Sequence, residues 1–130
     1  MSTCNPLNRM DLGREAEVTA KKYLLGQGLN VVLENFRCRT GELDLIALQE
    51  NVLVVVEVRM RTQMNYANAA ASVGPRKQAR IISATKYLLL TRPQLRRYPV
   101  RFDVVALDRA MPGDDSRIEW IRNAFQARSW

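Results

Sequence analysis

From Val52 to Val58 the chain reads Val-Leu-Val-Val-Val-Glu-Val, six aliphatic residues around a single carboxylate, Glu57. A run this apolar and β-branched is the signature of a strand buried on both faces, and an unpaired carboxylate inside it carries a heavy desolvation penalty. Just upstream, Asp44 interrupts a second apolar segment between Leu43 and Leu45-Ile46. Two acids placed where a core should be need a compensating cation. The expectation is a metal ion.

Strand geometry sharpens this. Side chains alternate, so Glu42, Asp44, Ile46 and Leu48 share one face of the first strand, and Leu53, Val55, Glu57, Arg59 and Arg61 share one face of the second. With Glu50-Asn51 as a two-residue turn, Gln49 opposes Val52, Asp44 falls opposite Glu57 and Glu42 opposite Arg59. Like charges opposed in a sheet are destabilising unless a cation is shared or one acid stays protonated. A three-residue turn would flip Glu57 to the other face and remove the constellation.

Oxygen donors suit a hard ion, Mg or Mn rather than zinc, with Asp44, Glu57 and an assisting Glu42 as the expected metal residues. The chain contains no histidine. Ser-His-Asp and Cys-His nucleophilic sites are therefore excluded, leaving carboxylates, lysine, arginine and water to carry any chemistry. Carboxylate-held metal beside a basic surface is a common solution for phosphodiester hydrolysis, in which the metal polarises the phosphate and lowers the pKa of a water.

A basic surface is indicated by charge. Twenty basic against thirteen acidic residues give +7 in 130 residues, with a sequence pI near 10.0, the electrostatic footprint of a nucleic-acid binder. An acidic membrane would attract the same charge, but no long basic amphipathic helix with bulky apolar anchors is evident. No apolar run approaches a membrane span and no signal-type core opens the chain, so a cytoplasmic protein is expected. Cys4 and Cys38, assigned to a tail and a basic loop, form neither a disulfide framework nor a metal-ligand spacing and read as two reduced thiols.

The apolar content of 47% can build one core, which predicts a single domain over 9–125 with a flexible lead-in at 1–8 and a tail at 126–130. A helix is predicted from Arg9 to Gln27, capped by Asn8 and stopped by Gly28. Glu17 lies within or beside its apolar stripe, either as part of a site or as a boundary residue paired with Lys21. A strand follows from Leu29 to Phe36, then the hairpin, then a loop from Thr62 to Gly74. Pro75 opens a second helix whose inner face is Ile81, Ile82, Thr85, Leu88 and Leu89. Arg76, Lys77 and Arg80 crowd its first turns against the helix dipole, where a phosphate would relieve the conflict, although a solvated basic face fits equally. Strands at Val100–Leu107 and Arg117–Phe125, parted by a turn at Met111 to Asp114, complete the chain. Asp103 reads as a salt-bridged or edge aspartate, and Tyr98 and Trp120 as packing residues.

The run "GELDLIALQENVLVVVEVRMRT", preceded by "NFRCRTG" and followed by "ASVGPRKQARI" and "RFDVVAL", resembles the YraN-like family of small bacterial proteins across roughly residues 10–125. Members of that family resemble the restriction-endonuclease-like superfamily, whose signature is an Asp opening one strand and Glu-x-Lys on the next. The resemblance implies a three-layer α/β sandwich, a mixed sheet flanked by helices in the order α-β-β-β-α-β-β, with the metal site on the hairpin edge. It matches Asp44 and Glu57 to the signature acids and Glu17 to the first-helix glutamate of resolvase-like members. Arg59 falls where many nucleases have lysine. Arginine stays charged and is no general base, so Arg59 would orient water or neutralise charge on the phosphate, leaving hydrolysis to lean on the metal.

Together these features predict an Mg- or Mn-dependent nuclease-like protein acting on DNA, with branched or damaged DNA suggested by the resolvase resemblance. Asp44, Glu57, Arg59 and Glu17 are the expected catalytic residues, and Arg37, Arg39, Arg61, Arg76, Lys77 and Arg80 the expected nucleic-acid contacts. The alternative is a nucleic-acid-binding module that keeps the fold without turnover, or an adaptor for an acidic partner. A homodimer would help an enzyme cut two strands, but no symmetry-specifying feature is readable.

Overall fold

A computed structural model describes residues 9–61, 73–108 and 118–127, with the side chains of 9–12, 61 and 108 excepted. The expected lead-in, the Asn8 cap, residues 62–72 of the expected loop, the turn at Met111 to Asp114 and the end of the tail lie outside the described residues. So does the Arg61 side chain.

Helix α1 spans Arg9–Gly26, ending one residue before the expected Gln27 and ahead of the predicted stop at Gly28. Gly28 takes a left-handed backbone (φ 95), its N–H donates to Leu25 O, and Leu29 N–H donates to Leu24 O. That is the Schellman arrangement, in which glycine reverses the chain at no steric cost and Leu24 and Leu29 bury together. The chain then enters β1 (Asn30–Cys38), β2 (Gly41–Gln49) and β3 (Val52–Arg61), crosses through α2 (Pro75–Thr91) and a short 3-10 turn at Pro93–Leu95, and returns as β4 (Val100–Asp108) and β5 (Ile118–Phe125). Strand β1 runs two residues beyond its expected end, because Arg37 and Cys38 pair with Glu42 and Gly41 despite their polar surroundings. Cys38 therefore lies in a strand and not in a loop.

The five strands form one sheet in sequence order, antiparallel except for the parallel β3–β4 pair that the α2 crossover requires. Leu45, Ala47, Val54, Val56, Val105 and Leu107 pack on one face with Ala16, Ala20 and Leu24 of α1. Leu53, Val55, Phe102, Val104 and Ala106 pack on the other with Ile81, Ala84 and Leu88 of α2. The result is the predicted three-layer sandwich, and β3, covered on both sides, accounts for the unbroken valine run.

Asp103, fully buried on β4, is structural. It accepts both Arg101 Nε and Arg101 Nη2 at 2.9 Å, Trp120 Nε1 at 2.9 Å and the Asn123 N–H at 2.9 Å. A salt-bridged aspartate is what the sequence suggests, and Trp120, with the Arg122 guanidinium 4.1 Å above its ring and Tyr23 at its edge, is a packing residue. Among the described residues no helix is long and apolar enough to cross a membrane.

Candidate functional site

The site begins with the hairpin turn. Glu50 adopts φ 54, the positive value that a two-residue turn demands at its first central position. Gln49 faces Val52 and the register runs without a slip to Leu45 facing Val56, so Asp44 and Glu57 occupy the next rung. There the two strands stop pairing. Continued, the ladder would give the Val58 N–H to Leu43; instead it donates to Asp44 Oδ2 at 2.9 Å.

The alternation of side chains also breaks here. Leu43 and Ile46 both belong to the α2-side core, although residues three apart on a regular strand point to opposite faces. Leu33 and Phe36 on the neighbouring strand do the same, and between them Asn35 takes a left-handed backbone (φ 52). The register pairs Glu34 with Leu45 and Phe36 with Leu43, leaving Asn35 and Asp44 as an unpaired rung across which the register itself is kept, its one shift lying between Val31 and Leu33. Asp44 is thereby turned into the seam between β2 and β3. The expectation that Glu42, Asp44 and Ile46 share one face fails for this reason.

Asp44 and Glu57 share a side-chain hydrogen bond. Both carboxyls are raised, so the pair favours holding a proton. Burial and the facing Asp44 charge push the Glu57 carboxyl up to about 8, with Lys77 and Arg59 pulling the other way. Burial raises Asp44 as well, opposed by the Val58 N–H. Two cations address Glu57 Oε2, Arg59 Nη1 from β3 at 3.7 Å and Lys77 Nζ from α2 at 3.5 Å.

Glu17 reaches the same place from α1. Its carboxyl is raised to about 7 by burial and then by Asp44, is hydrogen-bonded to Asn35, and feels Glu42 and Arg37. The alternative pairing with Lys21 is not formed, since Lys21 Nζ binds Glu34 Oε2 at 2.6 Å. Glu42 stands outside the pair, 3.8 Å from Arg37 Nε with both side chains largely exposed. Among the described residues no group of three Asp, Glu, Cys or His side chains is arranged to hold a metal.

Two of the expected nucleic-acid residues reach the acids, Lys77 at Glu57 and Arg37 at Glu42. Helix α2 is seated by Gly41, where an added Cβ would lie 2.9 Å from Arg80 O, so the β1–β2 turn carrying Arg39 runs against the helix start. Gly74 and Pro75 open the helix as the sequence predicts, and Arg76 and Arg80 are exposed beside Lys77. Lys77, expected as a phosphate contact, is placed at the acid pair itself, and Asn35 is a position whose part in the site the sequence does not show. An asparagine inside a strand pattern, a residue that tolerates left-handed backbone, is the one signal for the second.

Fold and site define an α/β/α sandwich with a largely buried carboxylate pair of raised proton affinity at the open end of its central hairpin. The chain belongs to the UPF0102 family, described as an uncharacterised protein family, whose model matches residues 16–107. It is similar to UPF0102 proteins of Alcanivorax borkumensis, 42% identical over 120 residues covering 91% of this chain and 94% of the relative, and of Saccharophagus degradans, 42% identical over 115 residues covering 88% and 92%. A Legionella pneumophila relative is 40% identical over 115 residues, covering 88% and 94%.

Proposed function

We propose that this protein is a metal-dependent, nuclease-like enzyme that hydrolyses phosphodiester bonds in DNA, branched or damaged DNA being the substrate class favoured by the resolvase-like resemblance. One observation carries the reading: Asp44 and Glu57, acids held in contact inside a sheet, an arrangement that costs stability and that an apolar pair would avoid. The donors fit a hard divalent ion. Mg takes one or two carboxylates together with waters and phosphate oxygens, so Asp44 and Glu57 would hold it without a third protein ligand, and Glu42 would assist from the rim. When bound, Mg or Mn would polarise the phosphate and lower the pKa of a water.

The chain's own residues supply the remainder. The basic start of α2, with Arg76 and Arg80, would hold flanking phosphates beside its free backbone N–H groups. In the hydrolytic step the water oxygen bonds to phosphorus as the bond from phosphorus to the leaving oxygen breaks. The water gives up a proton, which Glu17 is able to hold near pH 7, and the leaving oxygen takes one from solvent.

A binding module without turnover is favoured by one feature, the arginine at position 59, which cannot act as a base. Purified protein tested on single-stranded, duplex and branched DNA with Mg, Mn or EDTA separates the two. Metal-dependent cleavage lost in Glu57→Gln supports the enzyme, and binding without cleavage supports the module.

A further inference from the structure

We propose that Lys77 is the catalytic amine of this site, its ammonium reaching from α2 to contact the scissile phosphate beside Glu57, in the place that the strand sequence gives to Arg59. The proposal rests on the nuclease reading above. Lys77 Nζ lies 3.5 Å from Glu57 Oε2, as near as the Arg59 guanidinium at 3.7 Å. Lys77 acts on both carboxyls of the pair, Asp44 as well as Glu57. The ammonium therefore stands over the seam where a phosphate oxygen would enter.

Its backbone is fixed by the seating of α2. Pro75 sets the helix start, Gln78 Nε2 donates to Val73 O at 2.8 Å, Gly41 abuts Arg80 O, and Ile81, Ala84 and Leu88 are buried beneath. The side chain itself is 40% exposed, so the flexible four-carbon stem can follow an incoming phosphate while the helix stays put. Lysine is a compact charge with rotatable donors, suited to a single developing charge on an oxygen; the arginine fork is built for two acceptors at once. A phosphate at this position would also meet the N-terminal N–H groups of α2, so helix and amine act on one ligand.

Lys77→Met and Arg59→Met, each checked for an unchanged melting temperature, are compared with wild type in two measurements. The first is steady-state cleavage with Mg. Lys77→Met is expected to lower kcat roughly 100-fold or more with KM within about threefold, as for loss of a donor to developing charge, and Arg59→Met to lose no more than about tenfold. The second is duplex-DNA binding in EDTA against salt, where Lys77→Met should reduce the log-log slope by about 0.9, one phosphate contact. Cleavage by Lys77→Met at the wild-type kcat, a purely KM effect, the reverse ranking of the two variants, or an unchanged salt slope overturns the proposal and leaves the nuclease reading standing. A wild-type protein that cleaves none of the DNA substrates overturns both.

Discussion

Asp44 accepts the backbone N–H of Val58 at 2.9 Å, taking a donor that a continued hairpin would have given to Leu43. The carboxylate substitutes for a strand carbonyl, so β2 and β3 part without leaving that N–H unsatisfied. It also holds Asp44 against Glu57 in the opening. One side chain thus ends the ladder and builds the acid pair.

Glu57→Gln should raise stability at alkaline pH. The folded pKa of Glu57, about 8, lies above its ordinary 4.5. Between those values the unfolded chain binds fewer protons than the folded one, so wild-type stability falls as pH rises through this window and levels off above 8. Glutamine lacks this loss. Thermal melts without metal should place the variant level with wild type near pH 5 and a few degrees above it at pH 9, the shift that about 1 kcal/mol produces in a domain of this size. A variant that melts lower at pH 9 would show that Glu57 stabilises the fold as an anion.

Glu17 should titrate near pH 7, and Asp44→Asn should bring it down toward the carboxylate range by removing a neighbouring charge. Carboxyl-carbon NMR titration of both proteins measures this. A Glu17 midpoint indifferent to Asp44→Asn would separate the first-helix glutamate from the pair.

Gly41→Ala should destabilise the protein by roughly 1–3 kcal/mol, because the new methyl meets backbone, Arg80 O at 2.9 Å, and the start of α2 has to move. Urea unfolding gives the stability. A neutral substitution would mean that the β1–β2 turn does not seat the helix.

Asp103→Ala should cost about 3 kcal/mol or more, since Arg101, Trp120 and the Asn123 N–H lose a buried partner together. Urea unfolding at constant m-value tests it, and a loss below 1 kcal/mol would mean that water replaces the carboxylate.

Much of this was legible where local rules govern. The Glu50-Asn51 turn fixed the hairpin register and with it the Asp44–Glu57 encounter, Gly28 marked the end of α1, and Pro75 the start of α2. What escaped was decided by tertiary contact. No pattern in Leu43-Asp44-Leu45-Ile46 announces that alternation slips there, because the slip is shared with Asn35 on a strand paired only in the fold. Lys77 reads as one more charge in a basic helix turn, and only the seating of α2 on β2 brings it to Glu57. The end of β1 is hidden for the same reason, since Arg37 and Cys38 have a loop-like composition and become strand only by pairing with Glu42 and Gly41.

The central claim, that Asp44 and Glu57 form a divalent-metal site, is tested most directly by calorimetric titration of Mg into the protein at pH 7 in two buffers of different ionisation enthalpy. Burial and their facing charges raise both carboxyls, which favours a held proton that a metal must displace. The expected result is saturable binding whose heat depends on the buffer, with about one proton released per ion, and loss of that binding in Glu57→Gln. Absence of binding, binding with no proton release, or equal affinity in Glu57→Gln would contradict it.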